Sequence, residues 1–233
     1  MDMKITWLGQ AGLLFEDDEI TVLIDPYLSD SVEKINPVLK RKVRVDETFF
    51  DIKPDVIICT HNHRDHTDPE TLKHYLTEAS SVSVLAPGAA WRTVKENFDS
   101  NANNFILFNR HTEVTIKGCL FKAVKAVHED EHPIGVIIEK NQKKYYITGD
   151  TLYNSDIFED IPDDIYMMFV PVNGRGNNMN MEDAKRFCER VKPEFVVPIH
   201  CGLFDSLDMN DFGCKNKIVP EFYCKIEKPG KKA

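Results

Sequence analysis

Four side chains able to bind a metal fall within six positions at His61-Asn62-His63-Arg64-Asp65-His66. Neutral imidazole and ionised carboxylate are good ligands for divalent cations, and imidazoles are costly to crowd together unless a cation organises them. A catalytic metal site keeps one position open for water and lowers its pKa toward neutrality. The chemistry such a cluster could do is hydrolysis: an activated water attacking an ester carbonyl or a phosphorus atom. His61 and His63 alternate about one residue and point the same way if the segment is extended. Asp65 and His66 follow closely enough to reach a second ion.

The rest of each coordination shell must come from other segments, and strands that could deliver it are visible. Residues 55–60 form a short apolar run rich in β-branched side chains, a buried strand that runs straight into His61. A strand over 120–127 ends just before His128, one over 144–148 ends at Gly149-Asp150, and one over 195–199 ends at His200. Strand ends let a rigid sheet present side chains from distant parts of the chain to one point. His132 is close enough to His128 to replace it, but His128 directly follows the strand. Further strands are expected at 3–8, 13–15, 20–24, 82–85, 105–108, 113–116, 135–139, 166–170 and 222–226. Helices are expected at 69–79, 89–97 and 181–191, with Asp68 capping the first, Pro69 opening it and Asn180 capping the last. This alternation is an α/β pattern, and residues 1–233 are expected to form a single domain.

Composition narrows the function. The 233 residues carry a formal net charge of −9, and the only basic runs are Lys40 to Lys42 and a terminal stretch, Lys228 to Lys232, expected to be a solvated tail. A duplex-binding protein shows a basic patch, so no nucleic-acid partner is expected; a small-molecule substrate, including an anionic one, is. No apolar run is long enough to span a membrane, and the first residues lack a signal peptide's pattern; the expectation is a cytoplasmic protein. Six scattered cysteines without a CxxC pair indicate neither a zinc knuckle nor a disulfide framework, with Cys201 notable only for following His200. A homo-oligomer is left open.

The sequence resembles the metallo-β-lactamase superfamily. The residues that carry the resemblance are Trp7-Leu8-Gly9-Gln10-Ala11-Gly12, Ile24-Asp25-Pro26-Tyr27, Thr60 to Asp68, Thr148-Gly149-Asp150-Thr151-Leu152-Tyr153-Asn154, Asn173-Gly174-Arg175-Gly176-Asn177 and Val197-Pro198-Ile199-His200. Within the superfamily it looks most like the L-ascorbate-6-phosphate lactonase group. The resemblance implies a four-layer αββα sandwich of two mixed β-sheets flanked by helices. It implies that His61, His63 and His128 hold one ion, that Asp65, His66 and His200 hold a second, and that Asp150 bridges both. Asp65 would also position the attacking hydroxide, its catalytic role. Five imidazoles and two carboxylates suit two divalent ions, zinc by default, with manganese or iron as alternatives.

For substrate, the segment Asn173-Gly174-Arg175-Gly176-Asn177-Asn178 stands out. Its glycines let backbone N–H groups approach an anion, and Arg175 could grip phosphate or carboxylate with two bonds. Asn173, Arg175 and Asn177 are the candidate substrate contacts, although a surface turn has the same composition. Tyr153 and Asn154 are candidates to line the pocket. Glu129, Asp130 and Glu131 read as a solvated loop. The expected activity is opening of a small ester, a sugar lactone or its phosphate; a small phosphodiester substrate and a non-catalytic metal-binding protein are the alternatives.

Overall fold

Alternate residues of a strand face opposite sides of its sheet, so a strand apolar on both faces must be covered twice. The computed structural model, which describes residues 2–99 and 102–228, meets that demand with two sheets face to face and helices outside them. The first sheet runs β1 (Lys4–Gly9), β2 (Gly12–Glu16), β3 (Thr21–Ile24), β4 (Val56–Ile58), β5 (Ser83–Ala86) and β6 (Asn104–Leu107), in that order. The second comprises β7 (Glu113–Ile116), β8 (Cys119–Lys125), β9 (Ile134–Lys140), β10 (Lys143–Ile147), β11 (Ile165–Pro171) and β12 (Phe195–Ile199), ordered β12-β11-β10-β9-β8-β7. Both are mixed: β1 to β3 and β7 to β10 pair antiparallel, β3 to β6 and β10 to β12 parallel.

The alternation can be followed residue by residue. Val56 and Ile58 of β4 enter the core between the sheets with Phe169 of β11 and Val197 of β12. Ile57 turns outward onto Ala90 and Val94 of α3 (Gly88–Phe98) and Leu72 of α2 (Pro69–Leu72). Met168 and Val196 turn to the other outer face, under Ala184 and Phe187 of α4 (Met181–Val191). The four layers are therefore helix, sheet, sheet, helix, as expected. Pro198 fits in β12 because that strand is at a sheet edge, where a missing N–H costs no ladder bond. Trp7 is a fully buried core residue. Among the described residues, no helix is long and apolar enough to cross a membrane.

Two expected elements differ. The helix opened by Asp68 and Pro69 stops at Leu72 instead of running to residue 79. Tertiary contacts win there: the Tyr75 hydroxyl donates to the Phe49 carbonyl and His74 stacks on Phe50. The segment 222–226 is not a strand. Tyr223 has a φ of 62°, which breaks the extended run, and only the Thr6–Lys225 bridge forms on β1. Hydrogen bonds from Tyr223 N to Trp7 O and from Ile226 N to Ile5 O still cover that edge. The short α1 (Ser31–Ile35) was not anticipated. In the basic terminal stretch, Lys228 pairs with Asp2 and lies over Tyr166 instead of fraying, and residues 229–233 lie outside the described residues.

Candidate metal centre

The C-terminal ends of β4, β10 and β12 and the β1–β2 turn meet at one end of the sandwich. Two backbone bonds tie the sheets there: His200 N donates to Gln10 O at 2.9 Å, and Ile134 N to Thr60 O at 3.1 Å. The chain leaves its strands sharply, with positive φ at Gln10 (49°), Asp25 (44°), Gly149 (63°) and His200 (60°). At Gly149 the requirement is absolute, since a Cβ would lie 2.4 Å from the Ile134 carbonyl oxygen. That close approach is what delivers Asp150.

All seven candidate ligands come together. Three overlapping groups have their ligand atoms within 4.8 Å of one another: His61, His63 and His128; His61, His66 and Asp150; Asp65, His66 and His200. Asp150 Oδ2 lies between the halves, 3.1 Å from His200 Nε2, 3.5 Å from His66 Nε2 and 4.0 Å from His128 Nε2. His63 Nδ1 faces His128 Nε2 at 3.1 Å, and His66 Nε2 faces His200 Nε2 at 3.2 Å. Imidazole lone pairs set face to face repel unless a proton or cation lies between them. His61 Nε2 is buried with no hydrogen-bond partner, an orphan of a kind native interiors rarely keep. The donor set thus fits divalent cations. His132 does not reach the cluster; its ring packs against Gly88 at the start of α3 and is largely exposed.

Three of the five rings, those of His61, His66 and His128, have an oxygen at the second nitrogen, a feature of metal-binding histidines. Asp25, fully buried, lies 2.8 Å from His66 Nδ1. The Thr60 hydroxyl donates to Asp25 Oδ2 at 2.6 Å, which leaves it free to accept from His61 Nδ1 at 3.1 Å. His128 Nδ1 lies 3.2 Å from the Asn177 carbonyl, and His200 Nδ1 lies 3.0 Å from the Asn173 amide. The carboxylates are held likewise: Gln10 Nε2 donates to Asp65 Oδ2 at 2.8 Å, and Asn178 Nδ2 to Asp150 Oδ2 at 2.7 Å. Asp130, expected in a solvated loop, accepts from Asn62 N at 2.5 Å and pins the histidine-rich loop.

Charge follows from this crowding. Burial raises the carboxyl pKa of Asp65 and Asp150, but the adjacent His66 and His200 outweigh it and hold both well below the usual range. Burial depresses His66 and His200, yet Asp150, together with Asp25 for His66 and with Asp65 for both, outweighs it. His66 is raised well above its usual value, and His200 to about 10. Burial and the charge on His66 push His61 far down, leaving a neutral ring with a free lone pair. The Cys201 thiol is pushed up to about 12 by burial, which removes it as a nucleophile.

A cavity of about 200 Å³ opens onto His63, Asp65, Asp150 and His200, and Asn173 and Arg175 line its wall. Asn177 is not in that wall; its side chain donates to Glu129. Nor are Tyr153, packed on Phe158 and Phe187, and Asn154, which caps a 3-10 turn. Gln10, Asp25 and Asn178 were missed as site residues from the sequence. The first two stand directly after strands, so the strand-end signal that located the ligands could have found them.

Fold and ligand cluster define the class, a sandwich of two mixed sheets with a candidate divalent-metal centre at one end. Residues 4–200 match the family model of the beta-lactamase superfamily domain, and the chain belongs to that superfamily. A UPF0173 metal-dependent hydrolase of Thermoplasma volcanium is 29% identical over 248 residues, covering 98% of this chain and 99% of that protein. Among solved structures, a metallo hydrolase of the archaeon Ignicoccus hospitalis has a TM-score of 0.76 at 21% identity, covering 96% of this chain and 97% of that one. A diphosphatase of the PhnP family has a TM-score of 0.66 at 17% identity, covering 92% of this chain and 82% of that one. These structural likenesses show the shared fold.

Proposed function

We propose that the chain hydrolyses a small ester, a sugar lactone or lactone phosphate as first choice, at two divalent ions, zinc by default. His61, His63 and His128 would hold one ion and Asp65, His66 and His200 the other, with Asp150 set between the two groups of ligands. The observation that carries this is Asp150 Oδ2, set between the two groups of rings at 3.1 to 4.0 Å. Bound ions would supply Lewis acidity and make water a nucleophile near neutral pH. The chain's own groups do the rest. Asp65, gripped by Gln10, orients the water from the cavity floor. Asn178 keeps Asp150 from rotating away, and Asp25 fixes the His66 tautomer. Arg175 and Asn173 bind substrate at the wall. The acidic surface favours a small molecule over nucleic acid.

A second reading, cleavage of a small phosphodiester, is favoured by the likeness to a diphosphatase, because the same ion pair suits phosphorus chemistry. Turnover of a lactone panel beside a phosphodiester panel, with zinc or manganese supplied, separates the two. Silence in both panels would remove the hydrolase proposal.

A further inference from the structure

We infer that the substrate of this site is a compact amphiphile, an ester carrying an anionic group that pairs with Arg175 and a small apolar group that packs on Val32, Leu39 and Phe204. This rests on the hydrolytic reading above and adds what the wall of the cavity recognises.

The cationic half comes from a loop built to hold its shape. Gly174 and Gly176 have φ of 63° and 58°, Gly174 N donates to Met179 O at 3.0 Å, and a Cβ at Gly174 would meet Asn180 at 2.9 Å. Asn173 and Asn180 form a bridge that closes the loop. Arg175 is thus presented at the cavity by a fixed backbone, and among the described residues no carboxylate pairs with its guanidinium. The wall carboxylate that is not a candidate ligand, Asp205, is already engaged: its Oδ1 accepts from Gly202 N at 2.9 Å and Leu207 N at 3.0 Å. A planar guanidinium without a partner, beside a centre that cleaves esters, is suited to a carboxylate or phosphate of the incoming molecule.

The apolar half comes from α1 and from the loops that carry Leu39 and Phe204. Val32, Leu39 and Phe204 line the same cavity and belong to one hydrophobic cluster with Tyr27 and Leu203. Lys42 fastens these loops together, its N donating to Leu203 O at 2.9 Å and its Nζ to Asp205 O and Ser206 Oγ at 2.6 Å each. Val32 is already buried, whereas Leu39 and Phe204 are half-buried and lose their remaining contact with water only if substrate covers them; such burial contributes about 25 cal/mol per Å². The cavity's volume of about 200 Å³ is below the roughly 300 to 1,000 Å³ of pockets for drug-sized ligands. The apolar surface inside the cavity therefore matches a short group.

The test uses the zinc-loaded full chain with γ-butyrolactone, its 5-carboxylate and γ-valerolactone. Arg175→Ala should raise KM for the carboxylate about tenfold more than for the neutral lactone, a difference of about 1.4 kcal/mol. Arg175→Lys should recover only part of that. Phe204→Ala should raise KM more for γ-valerolactone than for γ-butyrolactone. Equal effects on charged and neutral lactones would overturn the anionic half, and equal effects on the two neutral lactones the apolar half. If no lactone is cleaved, the hydrolytic reading suffers while binding still decides the inference. By calorimetry, Arg175→Ala must then weaken butyrate and not butyramide, and Phe204→Ala must weaken butyrate more than acetate; equal losses within either pair overturn the corresponding half.

Discussion

Asp25 Oδ2 and His66 Nδ1 lie 2.8 Å apart, and both side chains are completely buried. The contact fixes which nitrogen of His66 carries the proton, and so aims Nε2 at Asp65, Asp150 and His200. The same carboxylate accepts from Thr60 N at 2.7 Å and from the Thr60 hydroxyl, which in turn orients His61. One buried acid therefore sets two rings that belong to different groups of ligands. Asp25→Asn is expected to weaken zinc binding by about 10- to 100-fold and to cost about 1–3 kcal/mol of stability. Calorimetric zinc titration and a denaturant melt check both. Unchanged zinc affinity would show that Asp25 serves the fold alone.

Gly149 gives a sharper backbone test. Any side chain there meets the Ile134 carbonyl, and its φ of 63° adds strain. Gly149→Ala is expected to destabilise the protein by at least about 1–3 kcal/mol and to displace Asp150. A thermal melt, with zinc content measured on the same sample, reads both effects. A variant with native stability and full zinc would refute the close approach.

His63 and His61 make different predictions from the same motif. His63 is only half-buried, on the rim of the cavity, whereas His61 is fully buried. His63→Ala should abolish turnover while leaving metal-free stability within about 0.5 kcal/mol of wild type. His61→Ala should lower stability as well, because it leaves the Thr60 hydroxyl without its ring and opens a void. Equal losses of metal-free stability in the two variants would count against the geometry.

The split between what could and could not be read from the chain has a physical basis. The ligands were legible because imidazoles at strand ends break the pattern of their surroundings, and because apolar runs such as Val56–Ile58 announce the strands that carry them. Gln10 and Asp25 carried the same strand-end signal in weaker form, since an amide or carboxylate after a strand is usually a turn residue; Asn178 carried none, and only the meeting of the loop after β11 with the cluster gives it Asp150 as partner. The helix after Pro69 was legible at its start, where Asp68 caps Glu70 N and Thr71 N. Its early end was not, because that depends on Phe49 and Phe50, some twenty-five residues away in sequence.

Away from the site, Asp160 ties the second sheet together. Its carboxylate accepts from Arg110 at 2.6 and 2.8 Å and from Lys125 N at 2.8 Å, with its side chain 6% exposed. Burial opposes ionisation, but the bonds from Arg110 and Lys125 hold the pKa below its ordinary value of 3.8. A depressed folded-state pKa stabilises above the unfolded value and is lost as pH falls through the folded one. Asp160→Asn should therefore cost about 1–3 kcal/mol near neutral pH, and the difference from wild type should shrink below 3.8. Denaturant melts at the two pH values test this; a gap that widens in acid would reverse the sign.

Every role proposed above requires that the seven side chains form a divalent-ion site. Elemental analysis of protein stripped with chelator, reloaded with zinc and desalted measures it directly. Close to two zinc ions per chain are expected for the wild type, and a marked loss for Asp150→Asn, whose carboxylate stands between the two groups of ligands. A wild-type chain that retains no zinc, or an Asp150→Asn chain that retains the full amount, would contradict such a site.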